Sequence, residues 1–107
     1  MISQMYVIRD LQAEAAMKPL LFEREAIAVR QFELSLVAKD NPFAASPEDY
    51  SLYHIGTYDD ETMFLEACDP RRVVSGLEAL RNAVRRQEKV LELHGQIDLL
   101  QSAGGTE

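Results

Sequence analysis

Residues 50–67, YSLYHIGTYDDETMFLEA, decide the fold. Two runs rich in β-branched and aromatic residues, 50–58 and 62–67, flank the acidic turn Asp59-Asp60-Glu61, which predicts an antiparallel hairpin. Tyr53 and Ile55 share one side of the first strand, and Met63, Leu65 and Ala67 share one side of the second. The reverse side carries Leu52, His54, Tyr58 and Phe64. Neither side is purely polar, so the sheet is expected to be covered on both, by a helix and by a partner chain.

Upstream, MYVIRDL (5–11) reads as a first strand, with Tyr6 and Ile8 on one face and Met5, Val7 and Arg9 on the other. QAEAAMKPLLFER (12–24), broken by Pro19, reads as a loop that returns Leu20, Leu21 and Phe22 to the core. A helix is predicted from Glu23 to about Lys39, with Ala28, Val29, Phe32 and Leu36 on one side and Ile27, Leu34 and Val37 roughly opposite. A helix apolar on two sides is expected to lie between two surfaces. Glu23 and Glu25 at its start and Lys39 at its end complement the helix dipole, and Asn41, placed before Pro42, ends it. The Pro-containing segment that follows, as far as Tyr50, reads as a loop.

Downstream, Ser75-Gly76-Leu77-Glu78 has the form of a capping box and sets a helix start at Ser75; Asp69-Pro70 is an alternative start. Good helix formers continue to about Gln101, although Gly95 weakens the run. Leu77, Leu80, Val84 and Leu91 form one apolar stripe; Val90, Leu93, Ile97 and Leu100 form a second, one position out of phase. A helix of about 25 residues spans about 38 Å, more than a domain of this size covers. Its far end therefore seeks a partner, most simply a second copy, with Leu80, Val84, Val90, Leu93, Ile97 and Leu100 as the expected dimer interface. The expected fold is α+β: a small three-stranded antiparallel sheet, one packed helix and a long C-terminal helix. Residues 1–74 would form the core domain and 75–107 a helical extension.

Composition narrows the function classes. The 107 residues carry 11 Lys+Arg and 18 Asp+Glu, a net charge of −7, and are 47% hydrophobic, which suits one soluble globular domain and not a disordered chain. A single cysteine, Cys68, excludes an intrachain disulfide and fits a reducing compartment. No apolar run approaches the ~20 residues of a membrane span, and MISQMYVIRD lacks the basic-then-apolar pattern of a secretory leader. Residues 1–70 hold five basic and 13 acidic side chains, whereas 71–89 hold six basic (Arg71, Arg72, Arg81, Arg85, Arg86, Lys89) and two acidic ones. An acidic body with one basic segment offers a localised anion-binding stripe; a solvated helix face is the plainer reading.

No metal site is expected, because His54, His94 and Cys68 lack a ligand spacing and the acidic turn lacks the glycine and spaced oxygens of a calcium loop. G-x-S-x-G, Walker and G-x-G-x-x-G motifs are all missing, so the expectation is a protein with no catalytic residues and no cofactor. Arg71 and Arg72 stand close enough in sequence to activate the Cys68 thiol, but a half-buried, inert thiol is the commoner case. Single-strand binders pair base-stacking rings with cations that track phosphates. Tyr6, Tyr50, Tyr53, Tyr58 and Phe64 supply rings on or beside strands, with core packing as their plainer role. Acidic neighbours on either side of the hairpin favour the cations of 71–89 over these rings as the DNA contact.

Three blocks resemble a known family: Ile8-Arg9-Asp10 ending the first strand, Ala28-Val29-Arg30-Gln31-Phe32 in the helix, and Pro47 through Thr62 (PEDYSLYHIGTYDDET). Across residues 5–74 the chain is similar to the small non-structural protein of gokushovirus-type Microviridae, single-stranded DNA phages. The long helix after Ser75 extends beyond the family's usual short ending. The resemblance implies a counterpart of the microvirus protein C, working in the cytoplasm of the bacterial host as the replicating complex turns to making and packaging single-stranded genomes. On this reading the protein is a non-enzymatic accessory factor. It would bind single-stranded DNA through Arg71, Arg72, Arg81, Arg85, Arg86 and Lys89, have phage or host replication and packaging proteins as partners, and make no membrane contact. The alternative is an acidic adaptor that docks on a replication or procapsid protein and never touches DNA.

Overall fold

A computed structural model describes the backbone of residues 1–104 and the side chains of residues 1–97. Strand β1 (Ile2–Asp10) pairs antiparallel with β4 (Tyr50–Asp59) along its whole length, from Ile2 opposite Asp59 to Asp10 opposite Tyr50. β4 in turn pairs antiparallel with β5 (Leu65–Ser75), completing the hairpin expected from the sequence. The sheet has five strands and not three, because β2 (Ala15–Ala16) and β3 (Leu20–Phe22) line the other side of β1. Both extra strands come from the segment expected to be a loop. The Asp10 carboxylate accepts from the backbone N–H groups of Gln12 (2.9 Å) and Ala13 (3.2 Å), turning the chain back on itself. The returning backbone then finds partners on the open edge of β1, which satisfies groups on both sides.

β5 runs on through Pro70 to Ser75, so Asp69-Pro70 lies in a strand and does not start a helix. Ser75 does cap one: its Oγ accepts from the Glu78 N–H at 3.2 Å, one arm of the predicted capping box. Helix α3 (Gly76–Gly104) follows, 29 residues long. The register slips where β4 reaches His54–Gly56, leaving Ile55 without a counterpart on β1. At Gly56 a Cβ would stand 2.2 Å from the Glu66 carbonyl oxygen, so this bulge admits only glycine.

Alternation about the ladder puts Tyr6, Ile8, Leu52 and Val74 on one face, and every helix packs there. Helix α1 (Glu25–Val37) buries Ala28, Phe32 and Leu36 against those four residues, as its spacing predicts. A short helix, α2 (Pro42–Ala45), adds Phe43, whose ring meets Tyr50 at 4.7 Å between centroids. A helix therefore covers one face, as expected. The opposite face, with Met5, Val7, Arg9, Tyr53, Tyr58 and Arg72 by register, carries no helix among the described residues.

α3 turns its alanines inward. Ala79 and Ala83 are buried, while Leu77 and Leu91 of the expected apolar stripe are 44% and 68% exposed. Small side chains on the contact line let the α3 backbone approach α1 and the sheet closely, which leaves no room for leucines there. One polar contact crosses this seam: the carboxylate of Glu33, buried on α1, is paired with Arg86 of α3. Leu34, on the other side of α1, stays 52% exposed and borders an open groove with Val37, Val90 and Leu93. The radius of gyration is 18.4 Å, against about 13 Å for a compact chain of this length. The excess comes from α3, which at about 1.5 Å per residue is more than twice as long as α1.

Two consequences are measurable. A Cβ at Gly76, the first residue of α3, would lie 1.8 Å from the Pro47 carbonyl oxygen, a backbone atom that cannot swing away. Gly76→Ala should therefore lower stability by about 2 kcal/mol or more, read as a fall in the urea midpoint with the slope unchanged. Arg86→Ala leaves the Glu33 carboxylate buried without its cation. The Arg86 side chain is itself 60% exposed, so solvent screens the pair and the expected loss is about 1–3 kcal/mol. Adding Glu33→Leu to Arg86→Ala should recover most of that loss in the same melts.

Candidate nucleic-acid interface

The six cations of 71–89 do not form one surface. Arg71 stands opposite His54 in the ladder, on the helix-bearing face, and is paired with Glu25 at the start of α1 at 2.5 Å. That partner holds the guanidinium above its ordinary value, first by the hydrogen bond and then by charge. Arg72, one residue on, points to the helix-free face opposite Tyr53. Arg86 is turned to Glu33. The other three, Arg81, Arg85 and Lys89, recur every four residues and so form a row along the outer side of α3. All three are exposed, and among the described residues none has a carboxylate within ion-pair distance. The row thus presents positive charge to solvent on a protein that is otherwise acidic.

The aromatic rings divide in the same way. Tyr6 is 1% exposed and packs edge-on against Phe22 and His54; burial, with the Glu25 charge adding to it, pushes its phenol above the usual range. Tyr50 is engaged by Phe43. Only Tyr53 and Tyr58, half-buried on the helix-free face, and Phe64, 71% exposed at the hairpin tip, are placed to meet a ligand. The tip is amphipathic. Met63 (φ 65°), Phe64 and Leu65 project from it beside Asp59, whose carboxyl is held below its ordinary range chiefly by the Glu61 N–H, while the Met1 ammonium bonds Asp60 at 2.7 Å. The sequence pattern places Met63 and Leu65 on one side of a strand and Phe64 on the other, and so does not foretell an exposed apolar triplet beside the acidic turn.

Of the residues assigned to self-association, Leu80 packs partly against the core and Val84 is 39% exposed. Val90, Leu93 and Ile97 are each about half exposed on the far part of α3 (47%, 47% and 49%). The side chain of Leu100 lies outside the described residues. Glu33, which no motif marked, has a signal in retrospect: it is a carboxylate four residues after Val29 and directly beside Phe32, on the buried side of the helical pattern.

No helix among the described residues is long and apolar enough to cross a membrane. Comparison with curated proteins and with solved structures finds no match. A family model described as Phage ORF5 protein does match, over residues 3–79, covering the sheet from the second residue of β1 onward, α1 and the first turn of α3. That span is well over half of the chain, and the chain therefore belongs to the Phage ORF5 protein family.

Proposed function

We propose that this phage protein is a non-enzymatic accessory factor in the replication or packaging of a single-stranded DNA genome, acting in the cytoplasm of the bacterial host. Its DNA contact is the row Arg81, Arg85 and Lys89 on α3, with Arg72 and Tyr53 on the sheet as a secondary contact. The observation that carries this reading is the row itself: three exposed cations at four-residue intervals, unneutralised, on a chain of net charge −7. Clustered cations bind phosphates because binding releases condensed counterions, whereas a dispersed acidic surface repels the polymer. Arg71 and Arg86 contribute less, being held by Glu25 and Glu33. The resemblance to gokushovirus-type Microviridae supports the single-stranded genome as the target.

A second reading has its own observation. Met63, Phe64 and Leu65 are 77%, 71% and 66% exposed beside an acidic turn, a tip suited to an apolar pocket with a basic rim on a replication or procapsid protein. In either case α3 is proposed to pair with a second copy, which would cover Val90, Leu93 and Ile97, each about half exposed.

Fluorescence anisotropy of a labelled single-stranded oligonucleotide separates the readings. Three phosphate contacts predict a log–log salt slope of about −2, and Arg81→Ala with Arg85→Ala and Lys89→Ala should remove it. Absence of binding at low salt would leave the adaptor reading, in which Phe64→Asp and not the cation triple disrupts function. Light scattering tests assembly: Leu93→Asp with Ile97→Asp should reduce a dimer to monomer mass, and an unchanged mass would exclude these positions from the interface.

A further inference from the structure

The irregularity between β4 and β5 brings together side chains that a regular ladder would keep apart. Three residues of β5, Cys68, Asp69 and Pro70, face the single residue Ile55, between the pairs His54–Arg71 and Gly56–Ala67. Continued without the slip, the His54–Arg71 register would set Cys68 opposite Thr57. Instead the Cys68 Sγ lies 3.4 Å from the Nδ1 of His54. Bulges re-aim side chains in this way, and Pro70 is accommodated because the slipped segment needs no ladder donor from it.

The imidazole is fixed from its other side. Its Nε2 is 2.8 Å from the Oε1 of Gln4 on β1, and an amide oxygen only accepts, so Nε2 carries the hydrogen. Nδ1 therefore turns its lone pair toward the thiol. The ring also meets the buried Tyr6 edge-on, with centroids 5.2 Å apart, which holds its plane. A nucleophile, a base in one tautomer and a group orienting that base are thus assembled from three different strands, the arrangement that activates a thiol. Cys68 is exposed, so a reagent reaches it directly. Arg71 is close enough for charge on Cys68 to act on its guanidinium, a small effect beside that of Glu25. Paired with Glu25, and with Asp69 beside Cys68 in the chain, Arg71 gives the site no net positive charge, so reagent charge is not what selects it.

We infer that Gln4, His54 and Cys68 form a reactive thiol site, modified by small disulfides. His54 Nδ1 takes the thiol proton, and the Cys68 sulfur attacks one sulfur of the disulfide. A bond forms between Cys68 and that half of the reagent as the reagent's own S–S bond breaks. The departing half leaves as a thiolate and recovers the proton from His54. Cys68 is oxidised to a mixed disulfide and the departing half is reduced to a thiol, so no other reactant is required.

The test uses the full chain, whose one cysteine makes the adduct unambiguous by mass, and the anionic reagent 5,5′-dithiobis(2-nitrobenzoic acid). Folded protein should react about tenfold or more faster than the same protein unfolded in urea. His54→Phe, which keeps a ring against Tyr6, should remove that advantage. Gln4→Leu, which leaves His54 and Tyr6 in place, should reduce it severalfold. Circular dichroism confirms that each variant is folded. A folded His54→Phe or Gln4→Leu protein that reacts at the wild-type rate overturns the assignment, since exposure alone would then set the reactivity. So does a wild-type protein no faster folded than unfolded, which decides the matter even if His54→Phe fails to fold.

Discussion

Burial of one sheet face organises the molecule. Tyr6, Ile8 and Leu52 occupy adjacent rungs of the two longest-paired strands, and Phe32 and Leu36 of α1 close over them. Each such side chain contributes about 1.5–3 kcal/mol when removed from water, a large share of the few kcal/mol by which a domain is stable. The placement of α1 follows from this contact, and with it the position of Glu25 over Arg71 and of Glu33 under Arg86. Because α3 must then share the same face, it approaches mainly through alanines, with Leu80 partly packed and most of its larger apolar residues left outside.

How legible this was depended on the range of the interaction. The hairpin, the face shared by Tyr6 and Ile8, the buried line Ala28–Phe32–Leu36 and the Ser75 cap all rest on residues within a few positions of each other, and the pattern carries them. Failures came where a partner distant in sequence decides. Ala15–Ala16 and Leu20–Phe22 are strands only because β1 offers them an edge. The leucines of α3 outrank its alanines in hydrophobicity, yet closeness of packing selects Ala79 and Ala83, a choice that depends on what lies opposite. The site residues follow the same division. Spacing alone puts Arg81, Arg85 and Lys89 in a row, but nothing local foretells that Arg71 and Arg72 straddle the sheet or that Arg86 finds a buried carboxylate. His54, Gln4 and Cys68 are separated by up to 64 residues, and a slipped register is what unites them.

The charges are arranged with some economy. Cations nearest the core are matched to carboxylates on α1, where an unpaired charge would be costly, and those on the outer side of α3 are left to solvent. An acidic chain thereby keeps a short positive segment on the solvent side of the core-packed half of α3.

The sheet also has two ends, and they are unlike. On one side β2 and β3 are two and three residues long and are separated by a segment containing Pro19. On the other, β5 is an eleven-residue edge, long enough to recruit a strand from a neighbouring molecule. Pro70 removes one donor from that edge, the adjoining slip bends it, and Arg71 and Arg72 add like charges that repel a second copy of themselves. Backbone-to-backbone growth of the sheet is therefore disfavoured where it would otherwise start.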